Sequence, residues 1–342
     1  ILYTIMKNYI LAIALVLVAS YVGNKFKNYV NNDNEDYDMI REYVLKESPL
    51  YGFNKPKMWI HSKFEINARK WRDFQSRNTC ELNQPYINLC IQSLIDHNSQ
   101  EFHVCLIDDK SFNKLLPDWT IDISVLAEPM KTQMRNVAML KLLYVYGGII
   151  VPDSFVCTKS MITLFNEAEE YNCPFVCEAL NRSANMNEKR PTFVPSLNIV
   201  GSPKRHPILS LLIDTCLDLH KNGHIFSSHE FNGTIAKYLQ GNVDKKKLTL
   251  INGSYIGIKD IKNKPILIED LLSEKHLDTI SDIYGVYIPR DELLIRNKYN
   301  WFSVLSKEEI FESNLAIVYI MKSSMVDNYD KYKNSMILQS TM

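Results

Sequence analysis

The sequence predicts an α/β fold in which helices cover a mostly parallel central sheet. Short apolar runs typical of buried strands alternate with longer runs of helical period. The hydrophobic share of 46% and the charged share of 23% are those of a globular protein with a sizeable core. A Gly-Gly pair separates the most apolar helix from the strand that follows it. Strand and helix in alternation build a parallel sheet, because each crossover lays a helix on one face.

The predicted elements follow one another in order along the first half of the chain. Met58 to Ile60 is the first strand, and Tyr86 to His97 is a helix with apolar residues along one side. Phe102 to Ile107 is the second strand. Arg135 to Tyr146 is a strongly apolar helix, and Ile149 to Val151 is the third strand. Ligands of such sheets bind outside the carboxyl ends of the strands, so the residues after these three strands are the first candidates for a site.

An apolar segment near the amino terminus predicts a membrane anchor. Tyr9 to Gly23 is almost unbroken in its apolar character and is flanked by Lys7 and Lys25. Its length of about fifteen residues is short of the roughly 20 that span a bilayer, but tyrosine and lysine at its ends extend it into the interface. The alternative is a signal-peptide apolar region with Val18-Ala19-Ser20 as the cleavage site. We expect an uncleaved single-pass anchor and a membrane location.

The sequence divides into four parts. Residues 1–27 form the hydrophobic anchor, 28–54 a linker with a short helix, 55–322 the folded domain and 323–342 a C-terminal tail. The linker contains Asn31 to Asp38, which is acidic and polar and lacks apolar periodicity. The predicted architecture is therefore one domain tethered to a membrane.

Charge and cysteine content narrow the possible partners and environment. Lys plus Arg and Asp plus Glu both number 39, so the net charge gives no reason to expect nucleic acid as a partner. The seven cysteines are odd in number and scattered, which argues against a disulfide framework and predicts buried, reduced thiols.

The most informative run is Gln133 to Phe155, which reads QMRNVAMLKLLYVYGGIIVPDSF. It resembles the core of capsular-polysaccharide-synthesis glycosyltransferases and their relatives with a DXD sugar-binding motif. In those families a helix ending in Leu-Tyr-x-Tyr-Gly-Gly runs into a short strand that one or two aspartates follow. Pro56 to Trp59, Cys90 to Asp109 and Leu197 to Pro207 resemble other family segments in the right order, and the resemblance spans roughly Lys55 to Asp218.

The resemblance implies a GT-A-like fold, that of the nucleotide-diphospho-sugar transferases, as a single domain. It also implies sugar transfer from a nucleotide-sugar to a glycan or lipid-linked acceptor, as in polysaccharide synthesis. In such enzymes Mn²⁺ or Mg²⁺, held by carboxylates, bridges the diphosphate and offsets the charge that develops on the leaving group.

The motif positions themselves depart from the family pattern. Aligned on the Gly-Gly pair, the two DXD aspartates fall at Pro152 and Ser154. The helix positions that the family fills with Asp and Arg fall at Asn136 and Met139, which share one helix face. A methionine offers no charge to a phosphate, and a proline offers no ligand atom to a metal.

One carboxylate survives near the motif, Asp153, shifted by one residue. Successive strand residues point to opposite faces, so the shift turns Asp153 away unless Pro152 permits a bulge that redirects it. The alternative is that Asp153 caps the next turn and Ser154 satisfies backbone donors.

The predicted nucleotide-sugar site gathers six side chains at the strand ends: His61, Asp109, Asn136, Met139, Asp153 and Ser154. Asp153 is the predicted metal ligand. His61 lies where the family approaches the nucleotide base, and its alternative is a satisfied surface histidine. Asp109 could serve the donor site, and its alternative is the N-cap of a helix. The sequence assigns no catalytic residue and no protein partner.

Two classes of function remain open at this point. The first is an active, membrane-tethered glycosyltransferase that uses Mn²⁺ or Mg²⁺. The second is a catalytically inactive protein of the same fold, without a cofactor, that serves as a structural or interaction module at a membrane. The four altered hallmark positions motivate the second class. A composition rich in Asn, Ile, Lys and Tyr, typical of an AT-rich genome, together with an anchor would suit a large DNA virus.

Overall fold

A computed structural model of the chain describes residues 55–62, 84–116, 118–181, 191–221 and 227–325. The predicted anchor, the linker, Cys80 and residues 326–342 of the predicted tail lie outside these described residues. Within the described ranges, no helix combines the length and apolar character needed to cross a membrane.

The described residues form eight strands and ten α-helices, numbered here in chain order. The strands are β1 Lys57–His61, β2 His103–Ile107, β3 Gly148–Ile150, β4 Phe155–Cys157, β5 Phe175–Leu180, β6 Phe193–Ser202, β7 Thr249–Ile251 and β8 Gly285–Tyr287. The helices are α1 Pro85–Asn98, α2 Ser111–Leu115, α3 Met130–Tyr146, α4 Ile162–Glu170, α5 Pro207–Lys221, α6 Ser228–Asp244, α7 Ile268–Leu271, α8 Arg290–Ile295, α9 Lys307–Glu312 and α10 Ala316–Ser324.

The central sheet has six strands in the order β2-β1-β3-β6-β5-β7. Strand β1 pairs in parallel with β2 and β3, and β5 pairs in parallel with β7. Strand β6 is antiparallel to both of its neighbours, β3 and β5. Five strands therefore share one direction, which confirms the α/β prediction with a mostly parallel sheet. The three strands expected from the sequence are neighbours in it.

Helix α3 is longer than the sequence predicted. It begins at Met130 instead of Arg135. Pro129 precedes the first turn, and the Glu128 carboxylate accepts a hydrogen bond from the Thr132 backbone N–H at 3.2 Å. A proline and an acidic side chain at this end both favour helix initiation, because the first N–H groups lack intrahelical partners.

The Gly-Gly pair brings β3 very close to β1. Gly148 has φ of +105°, and a Cβ built on it would lie 2.0 Å from the Lys57 carbonyl oxygen. The indole Nε1 of Trp59 donates to the Gly147 carbonyl oxygen at 3.0 Å. Only glycine adopts this backbone and tolerates this approach without strain. The end of α3 is therefore fixed against the middle of the sheet.

The last third of the described chain closes over β4. Strand β4 pairs antiparallel with β8 in a separate two-stranded sheet. The hydroxyl of Ser324 donates to the Cys157 carbonyl oxygen, and His97 Nε2 lies 2.9 Å from the Ser324 carbonyl oxygen. Helix α10 runs through Ser324 and Met325 is buried, so the folded region continues beyond the domain boundary predicted at residue 322.

The cysteines that the structure describes are free thiols. All six of them are unpaired, and all but Cys173 are buried. Burial raises the pKa of Cys105 to about 12, so this thiol is protonated and unreactive at neutral pH. The five buried cysteines are core side chains, as the sequence predicted.

Candidate functional site

Polar side chains meet at the edge where β1, β2 and β3 end. Because these strands are parallel neighbours, their carboxyl ends place His61, Asp109 and Asp153 along one side of the sheet. They take part in two sets of contacts. We call His61, Asp109 and Arg135 the His-Asp-Arg cluster, and we call Asp153 and Arg290 the Asp153–Arg290 pair.

The carboxylate of Asp109 is the centre of the His-Asp-Arg cluster. Arg135 donates from Nε to Oδ1 at 2.8 Å and from Nη2 to Oδ2 at 2.6 Å, which is a two-pronged ion pair. His61 Nε2 lies 3.0 Å from the same Oδ1. The arginine side chain is 4% exposed, the histidine 10% and the aspartate 22%, so solvent reaches the cluster from the aspartate side. Two predicted site residues, His61 and Asp109, are thus in direct contact.

These contacts control the ionisation of Asp109. Burial by itself raises the pKa of this carboxyl, but the hydrogen bonds from Arg135 and His61 outweigh burial, and their charges act in the same direction. The pKa of Asp109 is therefore held well below its usual range, and the group is a carboxylate at any physiological pH.

The ring of His61 is held between its polar partner and an aromatic neighbour. It stacks on Phe112, with centroids 5.4 Å apart and an angle of 6° between the planes. Phe112 in turn contacts Trp119, with ring centroids 5.9 Å apart. The alternative was a satisfied surface histidine. His61 is satisfied by Asp109, but its side chain is only 10% exposed and so does not lie on the surface.

Asp109 does not cap a helix, contrary to the alternative considered from the sequence. The N-cap position of α2 is Lys110, which makes no side-chain capping bond. Asp108 Oδ1 accepts from both the backbone N–H and the hydroxyl of Ser111, the first residue of α2, at 2.9 and 2.7 Å. Asp108 therefore binds the start of α2, while Asp109 binds Arg135.

Three buried polar atoms on the segments that carry the cluster lack a hydrogen-bond partner among the residues that the structure describes. They are Ser62 Oγ, which follows His61 in the sequence, Gln133 Nε2, two residues before Arg135, and Trp119 Nε1, whose ring contacts Phe112. Successive strand residues and residues two apart on a helix point in different directions, so only Trp119 is placed beside the His61–Phe112 stack.

Arg135 belongs to the cluster, and the sequence did not predict it as a site residue. It lies one turn before Met139 on α3, so the two share a helix face. The family pattern has an arginine at the position of Met139, and here the arginine lies four residues earlier, at Arg135. The sequence contained a signal for this contact. An arginine within an apolar helix needs an anionic partner if it is buried, and the Asp-Asp pair after β2 offers one.

Asn136 and Met139 take no part in the hydrogen bonds that join His61, Asp109 and Arg135. Met139 is 6% exposed and packs in the apolar interior, while Asn136 is half-buried. An apolar side chain at this position removes one polar feature that the resemblance implies for the nucleotide site.

Asp153 is buried and lies against an arginine from far along the chain. Arg290 Nη1 donates to Asp153 Oδ2 at 2.5 Å, and the two side chains are 4% and 7% exposed. The sequence also allowed Asp153 to cap the next turn, and the structure shows its Oδ2 in an ion pair instead of at a metal site. Tyr86 belongs to the same surroundings, since burial raises its pKa well above the usual value while Arg290 lowers it and Asp153 raises it.

Ser154 is engaged by the backbone that carries Arg290. Its hydroxyl donates to the Ile288 carbonyl oxygen at 2.8 Å, and its own carbonyl oxygen accepts from the Ile288 N–H at 2.9 Å. The sequence had suggested that the hydroxyl satisfies backbone donors, but it satisfies an acceptor instead. These two bonds extend the β4–β8 pairing and hold Arg290 opposite Asp153.

The residues around Asp153 do not fit the divalent cation that the resemblance implies. Mg²⁺ and Mn²⁺ need several oxygen ligands in near-octahedral arrangement. The carboxylate of Asp153 already faces a guanidinium, and Asp109 is held by another. In the described part of the chain, no group of three His, Cys, Asp or Glu side chains is arranged to hold a metal ion.

A solvent-open cavity of about 310 Å³ lies away from these residues. Its lining includes Tyr171, His206, Leu211 and Lys246. None of the predicted site residues lines it.

Comparisons with known proteins give only distant likenesses. No family model and no curated protein matches the sequence. The solved structure of PaToxG glycosyltransferase is similar over 67% of this chain and 83% of that chain, at 13% identity and a TM-score of 0.35. Mouse xyloside xylosyltransferase 1 in its apo form is similar over 59% of this chain and 86% of that chain, at 10% identity and a TM-score of 0.37. The assignment of the fold rests on the strand order and not on these two likenesses.

Proposed function

We propose that this chain is a glycosyltransferase-like protein that binds a nucleotide-sugar at the His-Asp-Arg cluster. The observation that carries the proposal is a partly buried cluster, oriented by hydrogen bonds, at the carboxyl ends of β1 and β2. Open α/β sheets bind their ligands at that edge. The resemblance of Gln133 to Phe155 to DXD glycosyltransferases supports the class of ligand.

The cluster offers a surface for the base of a nucleotide. The flat ring of His61, fixed by Asp109 and backed by Phe112, is one against which a base can stack. The indole N–H of Trp119, which is buried and has no hydrogen-bond partner among the described residues, offers a donor next to the Phe112 ring. Arg135 is paired with Asp109 through two hydrogen bonds and holds the cluster in place.

The acceptor in this proposal is a glycan or a lipid-linked sugar at a membrane. The resemblance implies this acceptor class, and the apolar segment Tyr9 to Gly23 would tether the domain close to it. The proposal does not route transfer through a metal at Asp153, because the residues there do not fit one.

A second candidate function is a catalytically inactive module of the same fold at a membrane. Two observations favour it. Met139 is buried where the family has a cation, and Asp153, the one carboxylate that survives beside the altered motif, lies in an ion pair. This candidate differs from the first in one measurable respect, since it needs no nucleotide.

Calorimetric titration of the full chain with UDP, GDP and their sugar conjugates, with and without Mn²⁺, tests the proposal. We expect binding of at least one nucleotide-sugar, and we expect Asp109→Asn to weaken it. The substitution removes the anion that orients His61 and Arg135. A hydrogen bond to a charged group is worth about 1.5–3 kcal/mol, which corresponds to roughly 10–100-fold in affinity.

Asp118→Asn is the matched control, because Asp118 is exposed and belongs to the same connection between β2 and α3. The control should bind like the unmodified chain. No heat with any nucleotide or nucleotide-sugar, in a protein shown to be folded, would contradict the proposal and favour the inactive module.

A further inference from the structure

We propose that the guanidinium of Arg290 takes the place of a divalent cation at Asp153, so that ligand binding by this chain is independent of metal. The inference deepens the proposed function and depends on it only for the ligand measurement. It concerns a residue, Arg290, that lies outside the segment resembling the glycosyltransferases.

The geometry of the Asp153–Arg290 pair carries the inference. The two charged groups meet at 2.5 Å and are both more than nine-tenths buried. A buried carboxylate must be paired or coordinate a metal, because an isolated charge in the interior is strongly disfavoured. Arg290 meets that requirement, and its charge does not dissociate as a bound metal does, since arginine stays protonated in proteins.

The surrounding backbone is arranged to keep Arg290 in this position. Ser154 stands where the family has its second aspartate, and it binds the backbone of Ile288 through two hydrogen bonds. Arg290 follows two residues later as the first residue of α8. The motif position that would have supplied a metal ligand therefore supplies the attachment for the arginine. The serine at the second aspartate position removes a metal ligand, and Arg290 supplies the positive charge that the metal would have supplied to Asp153.

Electrostatics excludes a metal as an additional occupant. A divalent cation on the same carboxylate would lie roughly 5 Å from the guanidinium, and at an effective dielectric constant of about 20 this repulsion weakens binding on the order of 10⁴-fold or more. The nearby Tyr86 offers only a neutral phenol, because burial holds its pKa well above the usual value. A neutral phenol is a poor ligand for Mg²⁺ or Mn²⁺ compared with a second carboxylate.

The first test is a titration of the full chain with Mn²⁺, with free Mn²⁺ followed by electron paramagnetic resonance. We expect no binding that depends on Asp153, up to about millimolar Mn²⁺. Binding that Asp153→Asn abolishes would overturn the inference.

The second test is a double-mutant cycle with Asp153→Asn and Arg290→Met. Each single change leaves one member of a buried pair behind and should lower Tm by roughly 5–10 °C. The double variant should lose less than the sum, and additive losses would overturn the inference.

Two further variants serve as controls for the double-mutant cycle. Arg290→Lys retains the positive charge and should keep most of the Tm, which covers the case in which Arg290→Met does not fold. Arg296→Met removes a half-exposed arginine just beyond α8 that pairs with Glu269 and Glu292, and it should change Tm by no more than about 2–3 °C.

The ligand measurement separates this inference from the proposed function. A nucleotide-sugar that binds the unmodified chain should bind equally well in excess EDTA, and a loss of binding in EDTA would overturn metal independence. If no nucleotide-sugar binds at all, the proposed function fails, while the Mn²⁺ titration and the double-mutant cycle still decide the role of Arg290.

Discussion

Asp109 shows how two residues separated widely in the chain can be fixed by one carboxylate. Its Oδ1 is shared between His61 and Arg135, and its Oδ2 receives a second donor from the same arginine. The carboxylate is thus held both by the charge of Arg135 and by the geometry of its hydrogen bonds. Removal of its charge should free both partners, and the effect should depend on pH.

Asp109→Asn should lower the free energy of unfolding by about 1–3 kcal/mol at pH 7. The pKa of Asp109 is depressed in the folded chain, whereas an unfolded aspartate has a pKa of about 3.9. The stabilisation is therefore complete above pH of about 5 and is lost as the pH falls further toward the folded-state pKa. Urea unfolding of both proteins at several pH values measures the difference.

The gap between the two proteins should shrink steadily below pH of about 4, because the unmodified Asp109 then takes up a proton on unfolding and the variant does not. A gap that stays constant from pH 7 to pH 3 would show that the ion pair is not the source of the stability.

Part of the candidate site could be predicted from the sequence, and part could not. His61 and Asp109 were predicted because both follow apolar runs whose ends must meet at one edge of a parallel sheet. Arg290 was not, because the approach of α8 to Asp153 bridges 137 residues and follows no local period. Asp153 was recognised as a surviving carboxylate, but its partner depends on tertiary packing alone.

At the scale of elements, the contact between β1 and β3 depends on one glycine. Gly148 has a left-handed backbone, and its Cα faces the Lys57 carbonyl oxygen. The end of α3, the start of β3 and the start of β1 are joined at this point.

Gly148→Ala should destabilise the protein by more than about 3 kcal/mol, because the added Cβ would lie 2.0 Å from backbone and φ is +105°. Gly241→Ala is the matched control, since that glycine lies within α6 and a Cβ there meets nothing within 4 Å. The control should stabilise the protein by about 0.5–1 kcal/mol. Thermal and urea unfolding of the two variants provide the comparison, and equal stabilities would show that β1 and β3 can separate without cost.

The elements of the first half were predictable because each has a clear period and a clear end. Helix α1 and strand β2 match their predicted positions within a residue or two. Strand β6 is different, since Pro195 and the polar Ser196 and Asn198 interrupt its alternation. Its reversed direction is a property of the whole sheet, and no local pattern encodes it.

At the scale of the whole molecule, the position of the domain relative to a membrane is still a prediction. The apolar segment Tyr9 to Gly23 should keep the full chain in the membrane pellet during alkaline carbonate extraction. Leu15→Arg combined with Leu17→Arg should release it, because two arginines near the centre of a spanning helix cost about 5–7 kcal/mol of insertion. Release of the unmodified full-length chain into the soluble fraction would contradict the anchor.

The pairing of Asp153 with Arg290 has a consequence for the chain during its synthesis. The carboxylate leaves the ribosome 137 residues before its guanidinium. At about 5–20 residues per second, translation leaves that charge alone for roughly 7 to 27 s. A bare carboxylate resists transfer out of water, so the strand end that bears it stays hydrated until α8 has been made. The nascent chain thereby carries an unpaired charge between β3 and β4, and such a charge opposes association with other unfinished chains.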